Sequence, residues 1–144
     1  MKKSKLEFFS LNQSSELSLP LFNSRVSAGF PSPADDYVDV KLDLNQHLIQ
    51  HPSATFYVKV HGESMRDAGI FDGDLLIVDR ALTPKNNAVV VCILNGDFTV
   101  KRIKFGEDKR IFLMPANETF SPIEVTANQD FEIWGVVSYI IHKA

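Results

Sequence analysis

Short apolar stretches with alternating polar positions dominate the chain after residue 54. Segments rich in turn residues, such as Asp72-Gly73 and Asn95-Gly96, separate them. The pattern predicts strands over residues 55–60, 74–79, 88–94, 97–105, 110–114, 122–125 and 130–141. Regularly spaced short strands with little helix are typical of a mostly β barrel or sandwich, so we expect one compact β domain.

The first part of the chain has a different character. Residues 1–37 lack a sustained hydrophobic period and are rich in Ser, Asn, Gln and Pro. They are predicted to form a flexible N-terminal arm ahead of a β domain over residues 38–144, and the arm is too short for a helix-turn-helix unit. One short helix is expected over residues 43–49, because Asp43 can cap its start and Pro52 follows its end.

Composition and charge narrow the classes of function. The 144 residues are 44% hydrophobic and 23% charged, which is ordinary for a soluble domain. A net charge of −3 and a pI near 5.8 argue against strong direct binding to DNA. No apolar run approaches the roughly 18 residues of a membrane span, so we expect a cytoplasmic protein without membrane association.

Neither disulfides nor metals are expected. Cys92 is the single cysteine and lies in an apolar run, where it is predicted to be a small core side chain. His47 and His51 have a spacing used by metal sites, but no third ligand accompanies them. We therefore predict no metal and no cofactor.

Candidate chemistry begins with Ser64, which follows the predicted strand 55–60. Gly62 permits a sharp turn, so the Ser64 hydroxyl would lie at the rim of the sheet, where a substrate can reach it. A structural explanation is open as well, because Ser64 and Asp67 fit a capping box. A catalytic pair of His61 with Ser64 is a weaker alternative, since such close neighbours on a continuing strand diverge.

Lys101 is the second candidate, inside the predicted strand 97–105. Its alternation partners Thr99, Ile103 and Phe105 are mostly apolar, so we expect its amine to be partly desolvated. Burial favours the neutral form of a lysine, and a neutral amine beside the Ser64 hydroxyl would activate it as a nucleophile. The alternative is a lysine whose stem lies on the sheet while its amine stays in water.

Several segments together resemble the self-cleaving peptidase domain of LexA repressors and UmuD proteins. The resemblance spans nearly the whole chain after residue 20, and Pro and Asn-Gln motifs in the first half are closer to UmuD than to LexA. The main matching segments are GESM at 62–65, GIFDGDLLIVD at 69–79, FTVKR at 98–102, PLF at 20–22, GFPSPA at 29–34 and DLNQ at 43–46. The resemblance implies the LexA-type β fold and a serine endopeptidase of the S24 family that cleaves itself.

The same resemblance assigns roles to residues. It implies that Ser64 is the nucleophile, that Lys101 is the base, and that the backbone amides of Glu63 and Ser64 hold the oxyanion. The bond that is cut would join Ala28 to Gly29, two residues without bulky side chains; a plain linker glycine fits the composition equally well. His61, Glu63 and Ala28 depart from the commoner UmuD pattern.

Partners also follow from the resemblance. UmuD-like proteins cut themselves when stimulated by RecA filaments on single-stranded DNA. The trimmed homodimer then serves as accessory subunit of a UmuC-type Y-family translesion polymerase in the SOS response, and it contacts the sliding clamp. An edge position of the long apolar strand 130–141 would favour the homodimer. Two other functions stay open: a non-enzymatic protein-interaction module, and a LexA-like repressor fragment without its DNA-binding domain.

Overall fold

The computed structural model describes residues 5–10, 18–22, 38–62, 65–66, 69–114 and 121–144. The strands are β1 (Lys5–Ser10), β2 (Ser18–Phe22), β3 (Val38–Asp43), β4 (Thr55–His61), β5 (Leu75–Asp79), β6 (Val89–Leu94), β7 (Asp97–Phe105), β8 (Ile111–Met114), β9 (Ile123–Glu124) and β10 (Phe131–Ile141). A short helix, α1, spans Leu44–Leu48, and single 3-10 turns span Pro52–Ala54 and Glu107–Lys109. The described residues form two compact units. One unit lies within residues 12–50, and the other combines the described residues of 1–11 with those of 51–144.

The unit between these boundaries contains β2, β3 and α1. The two strands pair antiparallel. Helix α1 starts directly after β3, and Asp43 caps it by accepting a hydrogen bond from the Asn45 amide at 3.0 Å. The amide of Ile49 donates to the Asn45 carbonyl at 3.1 Å and closes the last turn. The short helix that the sequence predicted is therefore confirmed.

The other unit is built on one antiparallel sheet. Its strands lie in the order β1-β4-β5-β10-β6-β7-β8-β9. The predicted strands from residue 55 onward are all present with small shifts at their ends, so the prediction of a mostly β fold is confirmed. Strands β1 and β2 fall within the predicted arm, whose boundary at residue 37 stays a prediction.

Strand β10 joins two halves of this sheet. Its first half pairs with β6 from Phe131 to Val136, and its second half pairs with β5 from Val136 to Ile141. The apolar pattern of this strand suggested an edge position, which is wrong because β10 pairs with a strand on each side. The strand is long and apolar on both faces because it pairs first with β6 and then with β5 of the same chain.

The sheet curls around a buried cluster. Phe8 of β1 has its ring centroid 4.6 Å from that of Phe98 on β7 and 5.1 Å from that of Trp134 on β10. Since β1 and β7 are several strands apart in the sheet order, these contacts require strong curvature. The cluster inside consists of Val58, Val60, Met65, Ile70, Leu76, Val78, Val91 and Val100.

A glycine marks the place where β10 changes partner. A Cβ added at Gly135 would lie 2.6 Å from Cγ1 of Val78, which is closer than packed atoms tolerate. We expect Gly135→Ala to lower the free energy of unfolding by about 1–3 kcal/mol, because overpacking forces neighbouring side chains to move. Urea denaturation measures this change.

Glu132→Ala provides the control for that substitution, since Glu132 is an exposed residue of the same strand. It is expected to change stability by no more than about 0.5 kcal/mol. Equal stability of the Gly135→Ala and parent proteins would contradict the tight contact with Val78.

Candidate active site

The loop between β4 and β5 contains the candidate nucleophile. Ser64 and Glu63 lie outside the described residues, as do Ala28 and Gly29. Gly62 has a φ of 103° directly after the end of β4, so the sharp turn that the sequence predicted there is confirmed. On the other side of Ser64, Met65 is buried in the core cluster. In the sequence, Ser64 therefore lies between the turn at Gly62 and the buried residue Met65.

Backbone hydrogen bonds close the base of this loop. The Val60 amide donates to the Asp74 carbonyl at 2.9 Å, and the Gly73 amide donates to the Val60 carbonyl at 2.8 Å. The Gly62 amide donates to Oδ1 of Asp72 at 2.7 Å. These hydrogen bonds join the end of β4, at residues 60–62, to residues 72–74, which directly precede β5.

A second set of contacts gives the loop its internal shape. The Ile70 amide donates to the Met65 carbonyl at 3.2 Å, and the Gly69 amide donates to the Arg66 carbonyl at 3.0 Å. The guanidinium carbon of Arg66 lies 5.7 Å from the ring centroid of Phe71, a cation–π distance. Met65 and Ile70 are both buried, so these two loop residues pack on the core.

Lys101, the candidate base, is half-buried in β7. It pairs across the sheet with Val90 of β6, which is fully buried. Cross-strand neighbours lie with their side chains on the same face, so the aliphatic stem of Lys101 runs beside an apolar side chain.

The loop and β7 meet at the same core. Met65 and Val100 belong to one buried cluster, and each adjoins a candidate residue: Ser64 precedes Met65, and Lys101 follows Val100. The backbones of the two segments therefore meet at one cluster, while strand alternation turns the Lys101 side chain to the face opposite Val100, toward Val90 and Ile103. The pairing of the Ser64 hydroxyl with the Lys101 amine stays a prediction.

Cys92 is a second nucleophile type near Lys101, but its environment suppresses its reactivity. Burial raises the pKa of the Cys92 thiol to about 11, and the positive charge of Lys101 offsets this only in part. With that pKa, roughly one thiol in a thousand is ionised near pH 8, and the thiolate is the reactive form.

We therefore expect Cys92 to resist a thiol reagent in the native protein and to react fully once urea unfolds the chain. Ellman's reagent, added at about pH 8, measures both states, because the unfolded thiol returns to an ordinary pKa near 8.5. Rapid, complete labelling of the native protein would contradict the burial of Cys92.

His61 contacts the first strand. Its Nε2 lies 3.2 Å from Oε2 of Glu7 on β1, at ion-pair distance but without the alignment of a hydrogen bond. Strand β1 therefore touches the residue that precedes Gly62.

Two aspartates are buried, one at each end of β5, and their burial was not predicted from the sequence. Asp74 is 1% exposed and Asp79 is 3% exposed. Nδ1 of His142 lies 2.6 Å from Oδ1 of Asp74, and Nδ1 of His51 lies 2.6 Å from Oδ2 of Asp79. The available signal was an aspartate on each side of the apolar run Leu75 to Val78, which is unusual because carboxylates are rarely buried without partners.

Within the described part of the chain, no group of three or more His, Cys, Asp or Glu side chains is arranged to hold a metal ion. The helices described there include none that is long and apolar enough to cross a membrane.

Comparison with known proteins identifies relatives over most of the chain. The family described as Peptidase S24-like matches residues 20–138. Protein MucA of Salmonella typhimurium is 42% identical over 137 residues, which is 94% of this chain and 92% of that protein. Protein SamA of Salmonella typhimurium is 43% identical over 124 residues, which is 86% of this chain and 85% of that protein. The LexA repressor of Colwellia psychrerythraea is 44% identical over 126 residues, which is 87% of this chain but 58% of the repressor.

Proposed function

Since this chain belongs to the Peptidase S24-like family, we propose that it is a serine endopeptidase that cuts its own Ala28–Gly29 bond. Ser64 is the nucleophile and Lys101 is the base in this proposal. The observation that carries it is the extent of the family match, because residues 20–138 include the candidate nucleophile, the candidate base and the candidate cleavage site.

The proposed reaction proceeds through an ester. The neutral Lys101 amine accepts the Ser64 proton while Oγ attacks the Ala28 carbonyl carbon. The C–N bond to Gly29 then breaks, and the departing nitrogen takes a proton from Lys101 to become the new N-terminus. Water, deprotonated by the same amine, hydrolyses the Ala28 ester and regenerates Ser64. The products are residues 1–28 and residues 29–144.

Two features of the described residues support this proposal. Lys101 is half-buried in β7 and pairs across the sheet with the fully buried Val90. The turn at Gly62 brings the backbone out of β4 just before Ser64. In this proposal the amides of Glu63 and Ser64 stabilise the oxyanion, which forms only in the transition state.

Regulation by RecA is the next part of the proposal. The arm must place Ala28 at Ser64, and an arm that is mostly elsewhere makes the competent state rare and the reaction slow. An activator raises the rate when it binds the competent state preferentially. In this proposal a RecA filament on single-stranded DNA has this role, as the resemblance to UmuD proteins suggests.

The proposed role of the product rests on the same resemblance. Residues 29–144 would form a homodimer in the cytoplasm and act as accessory subunit of a UmuC-type Y-family polymerase, with contacts to the sliding clamp. The low pI supports indirect association with DNA through such partners. The process would be the error-prone SOS response.

Incubation with the proposed activator, RecA, tests whether the protein cleaves itself. Purified protein, incubated with RecA, nucleotide and single-stranded DNA, is expected to yield a fragment whose N-terminal residue is Gly29. Ser64→Ala should yield none, because alanine has no hydroxyl that can attack the Ala28 carbonyl carbon. Ser121→Ala, which changes an exposed serine, should cleave like the parent. An equal yield from the Ser64→Ala protein would overturn the proposal.

An affinity-capture experiment tests the proposed binding of a UmuC-type polymerase to the cleaved product. Residues 29–144 should retain a UmuC-type polymerase on an affinity resin, and the parent chain held uncleaved by Ser64→Ala should retain less. Cleavage without polymerase capture would favour the repressor-fragment alternative, which predicts the same cut. Capture without cleavage would favour the non-enzymatic interaction module.

A further inference from the structure

We propose that His142 and Asp74 form a clamp that positions the loop carrying Ser64, so that His142 is a positioning residue for self-cleavage. The functional part of this inference rests on the peptidase activity proposed above. The structural part rests on contacts of described residues alone.

Asp74 is the point where three segments are joined. Oδ1 of its carboxylate bonds Nδ1 of His142 at 2.6 Å, and Oδ2 accepts a hydrogen bond from the Phe71 amide at 2.8 Å. Its backbone amide donates to the Phe71 carbonyl at 3.0 Å, and its carbonyl accepts from the Val60 amide at 2.9 Å. One residue thus connects the loop, the strand before the loop and the chain after β10.

The buried carboxylate depends on His142. Asp74 is 1% exposed, whereas the His142 side chain is 55% exposed. A buried charged oxygen that loses its partner is costly, so the carboxylate has to turn or admit water when His142 is removed. Either movement weakens the bond from Oδ2 to the Phe71 amide, which shapes the last turn of the loop.

Ring contacts extend the clamp toward the candidate nucleophile. The His142 imidazole contacts the Phe71 ring in a tilted arrangement, with centroids 5.1 Å apart and ring planes at 46°. The Arg66 guanidinium lies over the same ring. Arg66 is two residues beyond Ser64, so a displacement of Phe71 reaches the segment that holds the serine. A displacement of about 1 Å can slow a reaction about a hundredfold.

The chain offers a matched control at the other end of β5. His51 bonds the buried Asp79 at the same 2.6 Å distance and with the same imidazole nitrogen. Asp79 accepts its other hydrogen bond from the Ala81 amide, which follows β5 rather than preceding it. Loss of His51 therefore removes the same type of bond without touching the Ser64 loop.

Three variants test the clamp: His142→Ala, His142→Asn and His51→Ala. We expect His142→Ala to slow self-cleavage by about tenfold or more, and His51→Ala to leave the rate within about twofold. His142→Asn should restore most of the rate, because its amide nitrogen can donate from a position near that of Nδ1. Self-cleavage at alkaline pH without RecA is the assay, so that effects on RecA binding do not enter.

Hydrogen exchange supplies a readout that general destabilisation does not mimic. In His142→Ala made on the uncleavable Ser64→Ala chain, the amides of Phe71 and Asp74 should exchange at least about tenfold faster, while those of β6 and β7 keep their rates. Unchanged exchange of both loop amides would overturn the clamp, as would equal cleavage by His142→Ala and the parent. If Ser64→Ala itself still cleaved, the proposed activity would fail while the exchange test still decided the clamp.

Discussion

Self-cleavage without RecA is expected to accelerate by up to about tenfold per pH unit as the pH rises from about 7 to about 10. A lysine base must be uncharged to accept a proton, and each pH unit raises the uncharged fraction about tenfold until most of the amine is neutral. The measurement is the first-order rate constant for loss of the intact chain, followed by mass spectrometry or gel electrophoresis at each pH.

Two substitutions in β7 test whether Lys101 causes the increase in cleavage rate with pH. Lys101→Ala should lower the rate about 10²–10⁴-fold at every pH, which is the usual contribution of a general base, and should remove the acceleration. Lys104→Ala changes an exposed lysine on the opposite face of the same strand and should leave both unchanged. A rate that is flat or falls toward pH 10 would count against a lysine base.

Loss of the β1 packing is expected to expose Trp134 and to destabilise the sheet. Phe8 is half-buried and contacts both Trp134 and Phe98, so Phe8→Ala removes one wall of this aromatic group. We expect a red-shifted emission of Trp134, the single tryptophan, and a loss of about 2–3 kcal/mol in the free energy of unfolding. Fluorescence spectra and urea denaturation measure the two effects.

Phe9→Ala is the matched control for this change. Phe9 is the next residue on β1, where alternation turns its side chain to the other face, and it is 47% exposed. It should leave the Trp134 emission unchanged and stability within about 0.5 kcal/mol. Identical spectra for Phe8→Ala and the parent would contradict the placement of β1 against Trp134.

The fluorescence of Trp134 should also report the proposed cleavage. A cut after residue 28 separates β1 from the covalent chain, because β1 spans Lys5–Ser10. Once the fragment dissociates, the edge of β4 and the Trp134 ring lose their cover. Trp134 emission should therefore shift to the red during cleavage, no faster than the intact chain disappears.

Local patterns predicted much of this fold. Alternation located the strands from residue 55 onward, and the glycine after β4 predicted the turn before Ser64. Lys101 could be placed inside β7 because Asn95-Gly96 fixes the hairpin before it. These features depend on neighbouring residues, which a sequence displays directly.

Features that depend on distant residues were not predictable in this way. The partners in the His142–Asp74 pair are 68 residues apart, and those in the His51–Asp79 pair are 28 apart. Strand β10 was misplaced because an apolar strand that bridges two partners has the same pattern as an exposed apolar edge. Strand β1 offers only Leu6 and Phe8 as inward apolar residues, too brief an alternation to predict a strand.

The most direct test of the account is the mass of the fragments formed at about pH 10 without RecA, for the parent chain, Ser64→Ala and Lys101→Ala. The account predicts two fragments from the parent, residues 1–28 and residues 29–144, and an intact chain from both variants. Fragments of the same masses from either variant at the parent's rate would contradict a Ser64–Lys101 peptidase.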